Sequence, residues 1–476
     1  MLRLYSLMWW AAMPLVLGRL WWRGRKEAGY RQHWNERLAV YRPRAANDEP
    51  HTIWLHAVSV GETRAAEPLV DALLKAYPRS RIVMTHMTPT GRATGKQLFG
   101  KHGARLVQAY LPYDTITMVR RFIKHFEPRI CILMETEVWP TLIAECGKAN
   151  VPVVLANARL SERSLRKARR LGTLIADAAR GITLVAAQTE ADAERVRSLG
   201  VPQVAVTGSI KFDVVVPAAA LSTGAMLRTQ IGGRPVLLCA STREGEEELI
   251  FDAFRTALAA AAQPTAAAPA GAMPAATFVA SSAANSAANS APKSAVKSAA
   301  MPAALRPDTL LLLVPRHPQR FDAVEQMAVT RGLSLQRRSA LTQPGASVAA
   351  DTQVLLGDSM GEMFAYFSAC DVAFIGGSLQ PLGGQNLIEA AALGKPVLIG
   401  EHTFNFALVT EQAVQAGGAA RIASAEDLMQ QAAVLLRDDS ARTAMGRAAQ
   451  AFANQHRGAT ARTLALLPAL LPPPLN

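Results

Sequence analysis

Three carboxylates and a lysine in the first half of the chain are of the types and in the surroundings that proton transfer needs. Glu62 closes the run His56-Ala-Val-Ser-Val-Gly-Glu62, just beyond an apolar strand pattern. Open α/β sheets gather ligands outside the carboxyl ends of their strands, so a carboxylate there is placed to act as a general base, with Ser59 and Gly61 beside it. The same glutamate also suits the first turn of a helix beginning near Gly61, where it would complement the dipole. Spacing alone leaves both readings open. Met134-Glu-Thr-Glu-Val-Trp-Pro140 then sets Glu135 and Glu137 two residues apart after the apolar run Arg129–Leu133. In an extended chain their side chains point the same way, and neighbouring acids raise one another's pKa and can share a proton. They equally fit a pair ahead of a helix that starts at Trp139-Pro140. Lys211, in Gly208-Ser-Ile-Lys-Phe-Asp213, could steady the negative charge of a departing phosphate or be an ordinary solvated lysine.

The second half is richer in glycine and in cations. Phe374 to Gly400 reads as strand, glycine turn, short helix, turn and second strand. Gly383 and Gly384 would let the backbone approach a ligand, and a helix opening at Asn386-Leu387-Ile388-Glu389 would aim free N–H groups at a phosphate. Glu389 could then accept from a ribose. Asn386 to Glu389 also fits a capping-box-like helix start that needs no ligand. Ser241-Thr-Arg243 leads into another helix, and Val314-Pro315-Arg316-His317 closes an apolar strand with two cationic groups. Arg316 matches phosphate geometry, while His317 serves equally well as a structural hydrogen bonder. Gly357-Asp-Ser-Met360-Gly361-Glu362 is a further turn-to-helix site whose amides could meet a base or a phosphate, and Asn157-Ala-Arg-Leu-Ser161 adds an arginine after a strand. Five such turns at strand ends predict a nucleotide-substrate cleft between two halves.

Those halves follow from the apolar pattern. Runs at about 52–58, 81–87, 105–110, 129–134, 152–157 and 183–188 alternate with amphipathic stretches of helical length, which is the mark of a doubly wound parallel sheet. The pattern restarts with Pro235–Ser241, Thr309–Pro315, Val354–Gly357, Val372–Gly376 and Pro396–Gly400. The expected fold class is therefore α/β, with a first domain over 51–213, a linker over 214–232, a second domain over 233–457 and a tail over 458–476. Residues 258–304 are almost wholly Ala, Ser, Pro and Asn, and predict a disordered loop inserted in the second domain.

At 476 residues the chain exceeds what one core serves, and half its residues are hydrophobic. A formal charge of +14 favours anionic partners. Nucleic acid is not expected, because the charge is not interleaved with stacking aromatics along one face. Cys131, Cys146, Cys239 and Cys370 lie far apart in apolar runs and read as reduced core thiols, with no zinc or disulfide pattern. Residues 1–22 form an apolar stretch with Trp9, Trp10, Trp21 and Trp22 where interfacial aromatics sit, and a basic collar over 23–50 follows. Leu4 to Trp22 would make about 28 Å of helix, enough for a single span, while Pro14 and Arg19 leave a helix lying in the interface as the alternative. Either arrangement tethers the chain to anionic membrane lipid with its domains on the cytoplasmic side.

The quoted runs at 56–62, 134–140, 208–213, 314–318 and 376–389, with Gly400-Glu-His-Thr-Phe-Asn-Phe after them, resemble the bacterial 3-deoxy-D-manno-octulosonic acid (Kdo) transferases. The likeness runs from the N-terminal helix to about residue 455, and only the 258–304 insertion departs from the family pattern. It implies a GT-B fold of two Rossmann-like domains, and transfer of Kdo from CMP-Kdo to a lipid A precursor in lipopolysaccharide synthesis at the inner membrane. It also implies a metal-independent reaction without cofactor, and one well-placed carboxylate in the first half with no obvious covalent nucleophile leads us to expect in-line attack with inversion. Glu62 would be the base, with Lys211 and one of Glu135 or Glu137 as transition-state partners. Arg316, Met360–Glu362 and Asn386–Glu389 would be the CMP site. A nucleotide-sugar epimerase or hydrolase on the same plan, or a tethered nucleotide-sugar binding protein, are the alternatives.

Overall fold

Apolar runs with almost no polar residue become strands covered on both faces. The computed structural model describes residues 1–25, 27–42, 51–170, 172–262, 304–343 and 345–471. They divide into two units, Met1–Val215 with Ala453–Asn476, and Val216–Phe452.

In the first unit the strands are β1 (His51–His56), β2 (Ser80–His86), β3 (Leu106–Tyr110), β4 (Pro128–Met134), β5 (Val153–Ala158), β6 (Leu184–Ala187) and β7 (Val204–Val206). They form one parallel sheet in the order β3-β2-β1-β4-β5-β6-β7. Because successive Cβ atoms alternate, Ile53, Leu55, Ile130 and Ile132 pack under one layer of helices with Val70 and Leu73. Trp54, Cys131 and Leu133 pack on the other face with Phe122. The strand order turns about between β1 and β4, the place where open sheets of this kind bind ligands.

The second unit repeats the plan with β8 (Val236–Thr242), β9 (Leu310–Pro315), β10 (Leu335–Arg337), β11 (Val354–Leu356), β12 (Val372–Ile375), β13 (Val397–Ile399) and β14 (Ala419–Arg421). The order is β10-β11-β9-β8-β12-β13-β14, again parallel throughout, and it turns about between β8 and β12.

Every long strand lies where the apolar runs predict it; the short edge strands β7 and β14, and β10, do not stand out in the sequence. The stretch expected as a linker over 214–232 instead holds the helix Ala218–Ile231, whose Gly224 lies so close to Ser368 and Ala365 that a Cβ there would clash. Of the expected insertion, Leu258–Ala262 complete the helix Glu246–Ala262, and Leu258 is buried in the core with Leu305; residues 263–303 lie outside the described ones. Where a tail was expected after residue 457, Ala459–Ala465 form a helix of the first unit, and Ala459, Leu467 and Leu471 join its core. Asp213 fixes that helix by accepting the N–H groups of Gly458 and Thr460.

The helix Leu2–Arg23 lies on the first unit. Met13 packs with Ala39, Tyr113 and Met118, the Trp9 ring lies tilted against Tyr113 with centroids 5.7 Å apart, and Ser6 Oγ accepts the Ile116 N–H at 3.1 Å. Leu4, Leu7, Met8, Trp10, Leu15, Trp21 and Trp22 stay exposed. No helix among the described residues is long and apolar enough to cross a membrane. That holds for this one too, which carries Arg19 inside it and Arg3 and Arg23 at its ends, and so departs from the expected single span. All four cysteines are buried as free thiols.

Candidate functional site

In the first unit, the chain leaving β1 turns at once into the helix Val60–Ala65, capped by Ser59. Ser59 Oγ accepts the Glu62 N–H at 3.5 Å, while Glu62 accepts the Val58 N–H at 2.7 Å and the Ser59 hydroxyl at 3.2 Å. The helix-start reading of Glu62 is therefore correct, and it does not compete with the chemical one. Burial pushes the Glu62 carboxyl up to about 7, against the Val58 N–H that favours its charge, and the nearby Glu137 and Glu135 carboxylates push in the same direction as burial. A carboxyl poised there can take up a proton near neutral pH.

Glu135 follows β4 with φ +60°, so it is not in the extended chain that the alternation argument assumed. Its N–H donates to the Ala156 carbonyl at 2.9 Å and its carbonyl accepts from the Arg159 N–H at 3.4 Å, which hooks the turn onto β5. The Glu135 carboxylate pairs with Lys211 Nζ at 2.8 Å. Burial raises the Glu137 carboxyl, the Trp139 indole lowers it, and Glu135 raises it again. The turn, and not strand periodicity, brings the three acids within electrostatic reach. Lys211 sits in the turn Ile210–Asp213, which is anchored by the buried Ile210 and by its N–H on Asn157 Oδ1 at 3.1 Å. Asn157 is itself fully buried with φ +54° at the end of β5, a supporting role that its sequence run did not disclose.

In the second unit the cationic residues gather at the ends of β8 and β9. Thr242 lies opposite Pro315, and the Arg316 N–H donates to the Thr242 carbonyl at 2.9 Å. Burial lowers the His317 pKa, and Arg243, Arg316 and Arg320 lower it further, so these four groups share one neighbourhood. Arg320 is already paired with Glu247 at 3.0 Å. Ser241 turns the chain there with φ +58°.

The glycine run departs from expectation. Gly383 has φ +94°, but a Cβ there would meet Asn405 Nδ2 at 2.3 Å and Phe404 at 2.6 Å. The close approach it permits is to the chain's own Phe404-Asn405, not to an open ligand position. Gly384, with φ +72°, gives its N–H to the Gly377 carbonyl at 2.6 Å. The helix that follows is only Ile388–Ala392, Asn386 Oδ1 accepts the Ile388 N–H at 3.1 Å, and Asn386 Nδ2 donates to Glu389 at 3.2 Å. Leu387 and Ile388 are fully buried, so they serve the core. In the turn at Met360, Gly361 has φ +85°, and Glu362 accepts the Ser359 hydroxyl at 2.6 Å and faces Arg338 Nε at 3.4 Å. Met360 remains exposed. Sequence reasoning missed Glu246, a fully buried acid whose partners are all main-chain N–H groups.

The family profile described as 3-deoxy-D-manno-octulosonic-acid transferase (kdotransferase) matches residues 32–214. The chain is 41% identical to the 3-deoxy-D-manno-octulosonic acid transferase of Bordetella pertussis and 35% identical to that of Haemophilus influenzae, each over 95% of both chains. Among solved structures, it is similar to a glycosyltransferase from Rickettsia africae (TM-score 0.55, 10% identity, 90% of this chain and 100% of that one). It is also similar to a UDP-GlcNAc 2-epimerase from Neisseria meningitidis (TM-score 0.53, 14% identity, 87% and 99%). Those two likenesses speak for the two-sheet fold that glycosyltransferases and epimerases share, and the sequence relatives decide between them. This chain belongs to the 3-deoxy-D-manno-octulosonic acid transferases and is a glycosyltransferase.

Proposed function

We propose that this enzyme moves Kdo from CMP-Kdo to a hydroxyl of a lipid A precursor, lipid IVA, with inversion at the anomeric carbon. The observation that carries the reading is Glu62, a first-turn carboxyl that burial, with two further acids nearby, pushes up to about 7. Ionised Glu62 takes the acceptor hydroxyl proton as that oxygen bonds to the anomeric carbon; the carbon–oxygen bond to CMP breaks, and CMP leaves with the electron pair. Attack from the face opposite the leaving group inverts the centre. Lys211, held by Glu135, supplies positive charge to the transition state in the first unit. Arg243, Arg316 and His317 are the groups of the second unit suited to the CMP phosphate, and this cationic set is why we read the transfer as metal-independent.

The helix Leu2–Arg23 supports a location on the cytoplasmic face of the inner membrane, lying in the interface. Its exposed tryptophans and leucines offer an apolar face, and Arg25 and Arg31 stack over Trp21 at 4.9 Å, where anionic headgroups would meet them. Incubating the full chain with CMP-Kdo and tetra-acylated lipid A precursor, then weighing the lipid, tests the reading. A product heavier by one or more Kdo units is expected, and unchanged lipid with intact CMP-Kdo refutes it.

A further inference from the structure

Glu246 looks in the sequence like one of three acidic residues that open the helix Glu246–Ala262, where each complements the dipole. Its surroundings differ from that picture. The side chain is 0% exposed. One carboxylate oxygen accepts the N–H of Arg243 at 2.9 Å and of Gly377 at 2.6 Å, and the other accepts those of Ser378 and Leu379, both at 2.9 Å. All four partners are donors, the set that an ionised, acceptor-only carboxylate satisfies.

These bonds join the loops that leave two neighbouring strands, since β8 and β12 pair with Ala240 opposite Ile375. The loops are in backbone contact. A Cβ on Gly376 would lie 2.6 Å from Thr242 Cα and 2.7 Å from the Ser241 carbonyl oxygen. The Arg243 stem runs across the Gly377 turn, its Cγ 3.6 Å from where a Gly377 Cβ would be. With the Gly384 N–H on the Gly377 carbonyl, the main-chain donors of Gly377, Ser378, Leu379 and Gly384 are all taken up inside the unit. A glycine turn of this kind would ordinarily be the first place to seat a phosphate. Here its amides face an internal carboxylate, whereas the Arg243 guanidinium has no hydrogen bond or ion pair among the described residues.

We infer that Glu246 is a positioning residue: it sets the Gly376–Leu379 turn against Thr242–Arg243 before the nucleotide sugar arrives, and it leaves phosphate recognition to the Arg243 side chain that the turn supports. The inference rests on the reading that the second unit holds the donor. An apolar or amide side chain at 246 leaves two or more amides unsatisfied, and the turn loosens.

Two measurements on the full-length enzyme test it. Hydrogen–deuterium exchange at Gly377, Ser378 and Leu379 is followed in the wild-type protein with and without CMP. These amides exchange slowly in the free enzyme and change little with CMP; fast exchange that becomes slow only when CMP is added makes them ligand donors and overturns the inference. Second, Glu246→Gln is expected to raise KM for CMP-Kdo by about tenfold to a hundredfold while KM for the lipid acceptor stays within about twofold. An unchanged donor KM overturns it, and so does an equal rise in both. Should the variant not fold, the wild-type exchange result decides. If the wild-type protein transfers no Kdo from CMP-Kdo, the proposed function fails, while exchange in the free enzyme still decides whether Glu246 holds the turn.

Discussion

Glu62→Gln separates two effects that usually move together. The wild-type carboxyl is raised from the ordinary 4.5 to about 7, chiefly by burial and then by Glu137 and Glu135. Between those two pH values the folded chain keeps a proton that the unfolded chain has lost, so this group's contribution to stability is complete below about 4.5 and is lost as pH rises through about 7. At about 1.4 kcal/mol for each tenfold, keeping the group ionised at pH 8 costs up to roughly 3 kcal/mol, and solvent near a side chain that is only partly buried lowers this to about 1–2. Glutamine carries no charge, and its carbonyl still accepts the Val58 N–H that the carboxylate accepts at 2.7 Å. The variant is therefore expected to melt later than wild type at pH 8, by roughly 2–6 °C for the first unit, with the gap closing near pH 5. Transfer activity falls by about a hundredfold or more at every pH. Thermal melts from pH 5 to 8, beside turnover at each, are the assay. A variant that melts earlier at all pH values would show that burial does not hold this carboxyl protonated, and one that turns over normally would show that Glu62 is not the base.

Further outcomes follow from the same contacts. Glu137→Gln removes a charge that raises Glu62, so the residual activity should rise with pH along a limb displaced below 7; a limb that stays in place removes the coupling. Lys211→Met breaks the 2.8 Å pair with Glu135 and should lower kcat by about tenfold to a thousandfold with little change in circular dichroism, whereas normal turnover would take Lys211 out of the transition state. Deleting 263–303 should leave the melting temperature and turnover near wild type. Deleting 258–304 removes buried Leu258 and should cost about 2–5 kcal/mol; equal stability of the two deletions would refute the boundary at Ala262. Truncation after Arg457 removes Leu467 and Leu471 from the core and leaves Asp213 without its two N–H donors, so that protein should be recovered largely insoluble or with a sharply lowered first-unit melt.

The sheets were legible because strands buried on both faces read as unbroken apolar runs, as Leu310–Leu313 and Arg129–Met134 do. β7, β10 and β14 were not, because strands of three residues, most of them not fully buried, carry no period. The helix Ala459–Ala465 hid behind a proline-rich ending, since its own core residue is the small Ala459 and the leucines that join it, Leu467 and Leu471, lie beyond its end. Glu62, Glu135 and Glu137 could be found as strand-end acids, but Glu135's left-handed backbone depends on the carbonyl of Ala156 in a neighbouring strand. Glu246 was beyond reach for the same reason: its partners at Gly377–Leu379 are more than 130 positions away and are main-chain groups that any residue could supply. The glycine run showed the converse, since positive φ at Gly383 announces a close approach without saying that Phe404 and Asn405 are what approaches.

The dependence of kcat/KM on pH, measured from 5 to 9 with CMP-Kdo and the lipid acceptor, tests the role of Glu62 most directly. Activity should climb tenfold per pH unit below an inflection near 7 and level off above it, as a base that must lose one proton requires. A flat profile, or an inflection near 4.5, would contradict a buried carboxyl as the group that accepts the acceptor's proton.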